Sequence, residues 1–425
     1  MIKKVISLLV LLINGLVVTK AQLTIEYCQQ KARLHYPLAR QYDLIEKSSE
    51  YSVSNLTTSW IPRLSLGGKA TWQSDVPRFP DELTELVELI GADISFPSRD
   101  QYQFALELTQ PVWDGGTTRA RKQAVKTQEE AEKQSWEIDM QVLSGRVNEL
   151  FFGILLLEEQ LQLNRLLQEE LHGNYAKVST YITNGIAQQS DLDLVRVEIL
   201  SAQRQFDEMK ISQETYKGML SLFIGEEIGE SITLEKPSYA DEENAEITRP
   251  ELRLFDLQYE LKQMENKTLL SNGMPRIALF AQGAYGNPGL NIFESGFKPY
   301  FIGGIQIGWN FGALYTRRND RKLLENYRYR ISMERDLFLF NTRQKIIKVQ
   351  SEIQKLKRML DYDREIMDLR DNVKKCSETK AAAGTLSVSD MMRDIHASNM
   401  AKQTHSLHEI QLLMALYNLR LESGR

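Results

Sequence analysis

The sequence predicts a mainly α-helical protein with four strands that contribute to a transmembrane β-barrel shared between copies of the chain. Three observations carry that prediction: where the prolines fall, how the apolar period changes between segments, and a repeat of the whole pattern about 200 residues apart.

The helices follow from the prolines. All eleven lie between Pro37 and Pro111 or between Pro237 and Pro299, so Val112 to Lys236 and everything from Tyr300 onward contain none. Proline removes a helix hydrogen bond and clashes with the preceding turn, at about 3 kcal/mol in a helix interior. The two proline-free stretches are rich in Leu, Glu, Gln, Lys and Arg and read as helices near 117–183, 187–224, 316–382 and 387–422. At roughly 1.5 Å per residue the first is about 100 Å long. Apolar residues recur at helical spacing: Val142, Val147, Leu150, Phe151, Ile154, Leu157 and Leu161 in one, Ile346, Val349, Ile353, Leu356 and Leu360 in another. Such a stripe cannot bury itself, so these helices must pack along partners in coiled-coil-like hairpins.

The strands surround the prolines, where the apolar period drops to two. In Trp60–Trp72 the even positions Trp60, Leu64, Leu66, Ala70 and Trp72 are apolar, while Arg63, Ser65, Lys69 and Thr71 alternate with them. Tyr102, Phe104, Leu106 and Leu108 alternate with Gln101, Gln103, Glu107 and Thr109. Ile277, Leu279, Ala281 and Tyr285 form a third set, broken by Phe280, and Phe301, Ile305, Ile307, Trp309 and Phe311 a fourth. Each run has the length a tilted strand needs to cross a bilayer core, about 9–11 residues. Trp60, Trp72, Trp113 and Trp309 fall at or near strand ends, where an aromatic girdle sits. A small soluble sheet on the helices explains the alternation equally well, but not strand length, tryptophan placement and an export signal together.

That signal opens the sequence. Lys3 and Lys4 precede an apolar stretch from Val5 to Val18, and Thr19-Lys20-Ala21 offers a small-x-small cleavage site before Gln22. No 18-residue apolar run lies beyond it. Loss of its three lysines takes the net charge from −5 to −8, which disfavours nucleic acid as a partner. Of the two cysteines, Cys28 and Cys376, nothing fixes the separation. They either form a disulfide or stay as free thiols.

The elements occur twice in one order: helix, strand, strand, long helix, turn, helix. Thr118-Arg119 recurs as Thr316-Arg317, the turn Gly185–Asp191 as Gly384–Asp390, and Pro62-Arg63 as Pro275-Arg276. The domains are therefore a leader at 1–21, repeat 1 at 22–224, a connector at 225–248 and repeat 2 at 249–422. Four strands cannot close a barrel, and an open edge in lipid leaves backbone groups unpaired at several kcal/mol each. Copies must pool strands: two give eight, filled by side chains, and three give twelve, with room for a lumen. The expected shape is that of a conduit.

At this point the residues resemble a known family. Leu23-Thr-Ile-Glu-Tyr27, Trp60-Ile-Pro-Arg-Leu-Ser-Leu66, Gln110-Pro-Val-Trp-Asp-Gly-Gly116 and the two Gly-x5-Asp turns, in this order and doubled, are similar to the TolC-like outer-membrane efflux proteins. The resemblance implies a homotrimer in the outer membrane of a Gram-negative cell, with a shared twelve-stranded barrel and a helical tunnel reaching into the periplasm. It implies docking on a periplasmic adaptor (membrane fusion) protein and service to an inner-membrane RND or ABC transporter. The turns bearing Gly185, Asp191, Gly384 and Asp390 would then be the periplasmic tips that dock and gate. The family's second tip carries two acids three residues apart; here Asp390 fills the first place, Arg393 the second, and Asp394 comes one later. The second repeat likewise has Trp309-Asn-Phe-Gly312 where the first has Trp113-Asp-Gly-Gly116.

Other candidates are weaker. Arg119, Arg121, Lys122, Arg317, Arg318, Arg321 and Lys322 follow the returning strands and meet either lipid headgroups or solvent. His405 and His408, with Glu409, share a helix face but lack a clear third metal ligand. Gly283, Gly286 and Gly289 imitate a phosphate loop in composition only and are placed in a strand-to-strand turn. No nucleophile elbow or Cys–His arrangement suggests an enzyme, and no cofactor is expected. The alternative to a channel is a periplasmic coiled-coil scaffold.

Overall fold

The computed structural model describes residues 22–424, except 81–82, 84–88, 92–95, 230–231, 239–245 and 295. The expected leader and part of the expected connector lie outside the described residues. In chain order the elements are β1 (Gln22–Leu23), α1 (Ile25–His35), α2 (Gln41–Thr58), β2 (Arg63–Trp72), β3 (Asp100–Trp113), α3 (Thr117–Thr183) and α4 (Gln189–Ile224). Then follow β4 (Thr233–Leu234), α5 (Pro250–Asn272), β5 (Arg276–Asn287), β6 (Lys298–Gly308), α6 (Gly312–Ala382) and α7 (Val388–Ser423). The four long helices and four long strands stand where proline and periodicity put them. One departure is in repeat 1, whose opening helix is split. Tyr36 adopts φ −58, ψ 137 ahead of Pro37, the extended conformation that a following proline imposes, whereas α5 runs unbroken because its one proline is its first residue.

The chain divides into two units. Unit 1 comprises residues up to Tyr42, Gln134–Arg253 and Asp336 onward. Its main core joins Ile25, Cys28 and Ala32 of α1 to Met140, Leu143, Val147, Phe151 and Ile154 of α3, with Leu220 and Ile224 of α4 and Tyr417 of α7. Val142, expected in the stripe, is 51% exposed; Leu143 takes its place, because one helical residue turns the side chain by about 100°. The middle of α3 also holds an 18-residue window of mean hydropathy 1.3, more than half buried in the chain itself. Its burial makes it core. A second cluster joins Ile353 and Leu356 of α6 to Leu416 and Leu419 of α7. The parallel pair β1–β4, Gln22↔Thr233 and Leu23↔Leu234, was not expected; two residues are too few to display a period.

Unit 2 comprises Asp43–Lys133 and Leu254–Arg335. Its centre is an antiparallel sheet of order β2-β3-β5-β6. The register Leu64↔Leu108↔Ala281↔Gly303 puts directly opposed residues on a common face. That face carries Leu64, Leu66, Phe104, Leu106, Leu108, Leu279, Tyr285, Phe301, Ile305 and Ile307, all exposed, with Leu66 at 78% and Phe301 at 69%. The other face holds Arg63, Ser65, Lys69, Gln101, Gln103, Glu107, Thr109, Gln282 and Gln306. Phe280 lies on this polar face, where a Cβ at Gly304 would meet its ring at 3.1 Å; the glycine leaves the space the ring occupies. Gly283 and Gly286 sit inside β5, so only Gly289 of that trio is in the turn.

Candidate functional site

Two regions carry the candidate residues, one in each unit. In unit 1, α3 and α6 end in the same turn. Gly185 has φ +74 and Gly384 φ +72, and both turns close with the six-residue bond of a Schellman motif: Ile186 N–H to Tyr181 O at 2.8 Å, Thr385 N–H to Lys380 O at 3.0 Å. Only glycine adopts that conformation without steric penalty. Asp191 caps the first following helix, whereas Ser387 caps the second with Asp390 bonded to it. The Asp191 carboxylate accepts the Gln188 amide at 2.8 Å, and the Asp390 carboxylate accepts the Ser387 hydroxyl at 2.7 Å while Ser387 Oγ accepts the Asp390 amide. A cluster of Leu171, Val178, Val195, Val388, Met391 and Ile395 binds the two hairpins into one body.

The three charged residues of the second turn have separate partners. Arg393 pairs with Asp390 at 3.0 Å, largely exposed. Asp394 turns the other way and accepts the Ser377 hydroxyl of α6. Farther along, Asp371 holds Ser398 and lies 3.0 Å from Lys402. Burial raises its pKa, but the hydrogen bonds from Ser398 and Lys402 outweigh burial and leave it below the usual carboxylate range. His408 Nδ1 lies 2.6 Å from Asp363, Glu409 pairs with Lys236, and the buried His405 Nδ1 has no partner. These residues are thus divided among different contacts, and among the described residues no group of three or more His, Cys, Asp or Glu is placed to hold a metal ion.

In unit 2 the tryptophans divide by sheet end. Trp60, Trp113 and Trp309 mark the end where the strands join α2, α3, α5 and α6, and Trp72 marks the opposite end. Trp309 Nε1 donates to Gly273 O at 3.1 Å, and Gln110 donates to Trp60 O at 2.8 Å. Both strand-to-helix turns close alike. Asp114 accepts the amides of Gly116 at 2.9 Å and Thr118 at 2.7 Å, and Asn310 accepts that of Gly312 at 2.9 Å. Trp309-Asn-Phe-Gly312 therefore makes the same Asx turn as Trp113-Asp-Gly-Gly116, with one bond fewer. The basic residues Arg119, Arg121, Arg318, Arg321 and Lys322 are exposed or half-buried beyond these turns. Sequence reasoning did not foresee that Arg63 and Arg276, each the first residue of its strand, line a cavity of about 290 Å³ with Arg121, Trp60 and Trp113. The recurrence of Pro62-Arg63 as Pro275-Arg276 was the available signal.

A duplicated helical hairpin, a sheet with an exposed apolar face and two open edges is the geometry against which known proteins are compared. Residues 30–225 match the family described as outer membrane efflux protein. This stretch carries the efflux-protein signature. No curated protein matches the sequence. Among solved structures, the outer membrane protein VceC of Vibrio cholerae superposes with TM-score 0.68 at 12% identity, covering 94% of this chain and 96% of that one. The MtrE outer membrane channel of Neisseria gonorrhoeae, in an open state, gives 0.68 at 13% over 94% and 89%. The CmeC outer membrane channel of Campylobacter jejuni gives 0.67 at 11% over 94% and 85%. The fold is that of an outer-membrane channel, mainly helical with a few antiparallel strands, and the expected outer-membrane location agrees with the family match. The efflux-protein family consists of channel proteins, not enzymes.

Proposed function

We propose that the mature chain is one subunit of a passive homotrimeric duct across the outer membrane and periplasm, driven by an inner-membrane RND or ABC pump through a periplasmic adaptor. The observation that carries this reading is the sheet of unit 2: one face exposes large apolar side chains on all four strands, and among the described residues β2 and β6 each leave an edge unpaired. Moving a large apolar side chain out of water is worth about 1.5–3 kcal/mol, and each unpaired backbone group in lipid costs several kcal/mol. A lipid setting satisfies the first, and pooling β2 with the β6 of a neighbour satisfies the second. Three copies give twelve strands with the polar faces lining a lumen. A periplasmic scaffold would keep these apolar side chains in water, which makes it the weaker reading.

Under the same reading the tips at Gly185–Asp191 and Gly384–Asp390 dock the adaptor and gate the duct. The Trp60, Trp113 and Trp309 girdle meets the inner leaflet, and Trp72 the outer one. The duct has no catalytic role or cofactor of its own. Planar-bilayer recording on the purified, detergent-extracted chain tests this: discrete conductance steps from a heat-sensitive trimer are expected. A monomer that stays soluble without detergent and never conducts would overturn it.

A further inference from the structure

We propose that the cavity at the strand-to-helix junction of unit 2 is an anion-binding site on the wall of the duct, suited to solutes bearing phosphate or carboxylate groups. The inference rests on the pooled-barrel reading, because that reading turns the polar face of the sheet inward. Arg63 shares this face with its partner Thr109, and Arg276 stands two residues before Ala278 on the same face. Arg121 reaches the cavity from the start of α3. All three arginines are exposed, and none has an ion pair or side-chain hydrogen bond among the described residues. The one acid of the lining, Asp114, has both carboxylate oxygens engaged by the amides of Gly116 and Thr118.

Those bonds keep the Asp114 carboxylate ionised at the helix end, and the three guanidiniums outnumber it in the cavity lining. A guanidinium presents a planar fork that matches phosphate or carboxylate oxygens two at a time. The rest of the polar face agrees in sign. It carries Arg63, Lys69, Arg276 and Lys298 against the single acid Glu107, and Lys298 is already paired with Glu294. Three copies would place nine of these guanidiniums around one ring.

The test is the reversal potential of the reconstituted full mature chain under a potassium chloride gradient, with inorganic phosphate as the binding probe. Wild type is expected to favour chloride and to conduct less when phosphate is added. The combined variant Arg63→Gln, Arg121→Gln, Arg276→Gln should shift the permeability ratio about tenfold toward potassium and lose the phosphate effect, since focused surface charge raises local counter-ion concentration by a factor of about 10 or more. A control with the same charge change, Arg318→Gln, Arg321→Gln, Lys322→Gln, removes α6 residues outside the cavity and should stay near wild type. If the triple variant fails to trimerise, the single Arg121→Gln variant, altered on an exposed helix surface, should shift in the same direction. A wild-type channel that favours potassium and ignores phosphate would overturn the site alone, as would equal shifts in variant and control. Absence of any conductance would overturn the duct reading and the site with it.

Discussion

At the residue scale, Cys28 and Cys376 have opposite surroundings although both are free thiols. Cys28 lies at 0% exposure among Ile25, Ala32 and the α3 side chains. Burial, with added repulsion from Glu226 and Glu26, pushes its thiol up to about 12. The thiolate is the reactive species, so Cys28 is protected twice, by access and by protonation. A thiol-specific colour reagent should titrate one thiol, Cys376, in the native protein and two after denaturation; two rapid native equivalents would contradict this packing. The pH dependence has a definite sign. The native thiol holds its proton to about 12 while the unfolded one releases it near 9. The stabilising contribution of Cys28 is therefore complete below about 9 and is lost as pH rises toward 12. The stability difference between wild type and Cys28→Ala should shrink over that window. The sequence left the two cysteines open between a disulfide and free thiols, because burial is a property of the assembled core and has no local signature.

At the element scale, the long helices were legible because their determinants are local: no proline, strong helix formers and a continuous apolar stripe. The turns were legible because glycine at positive φ followed six residues later by an aspartate in the first turn of the next helix is also a local pattern, and it occurs twice. The details of side-chain partnership were not. Arg393 pairs with Asp390 while Asp394 bonds Ser377 of α6, and the second partner, 17 residues back on another helix, is invisible in the order Asp-x-x-Arg-Asp. The split between α1 and α2 was legible in Pro37 in retrospect, whereas β1–β4 was too short to read. The tip proposal makes an element-level prediction. Gly384→Ala adds a Cβ that meets Ile186 at 3.4 Å, an ordinary contact, so only the left-handed backbone penalty of about 1–2 kcal/mol remains. Gly384→Trp adds bulk to the turn surface. In cells lacking their own copy, the alanine variant should restore export and the tryptophan variant should not, while both reach the membrane as trimers. Full export by the tryptophan variant would remove the tip from the docking and gating role.

At the scale of the whole molecule, what matters is how one chain satisfies the edges of its sheet. The alternation that named the apolar and polar faces was readable strand by strand, and Phe280 was the only strand residue flagged as out of phase; the structure gives it a glycine to lie over. Strand order could not be read, since the β3–β5 pairing brings together residues about 180 apart. Nor could the arginine cavity be seen, because it gathers the starts of two strands and a helix from both repeats. The order β2-β3-β5-β6 leaves β2 and β6 separated by two intervening strands, roughly 14 Å at about 4.8 Å per strand. A disulfide requires Cβ atoms about 3.5–4.5 Å apart, so a cysteine in β2 can bond one in β6 only between copies. The decisive measurement places Leu66→Cys with Phe301→Cys, Gly303→Cys or Ile305→Cys in a chain whose native cysteines are replaced by alanine, oxidises it in membranes, and weighs the product on a reducing-agent-free gel. Strand pooling predicts that at least one pair gives a covalent ladder ending at three chains; product that stays a single chain for every pair, in protein that needs no detergent, would contradict it.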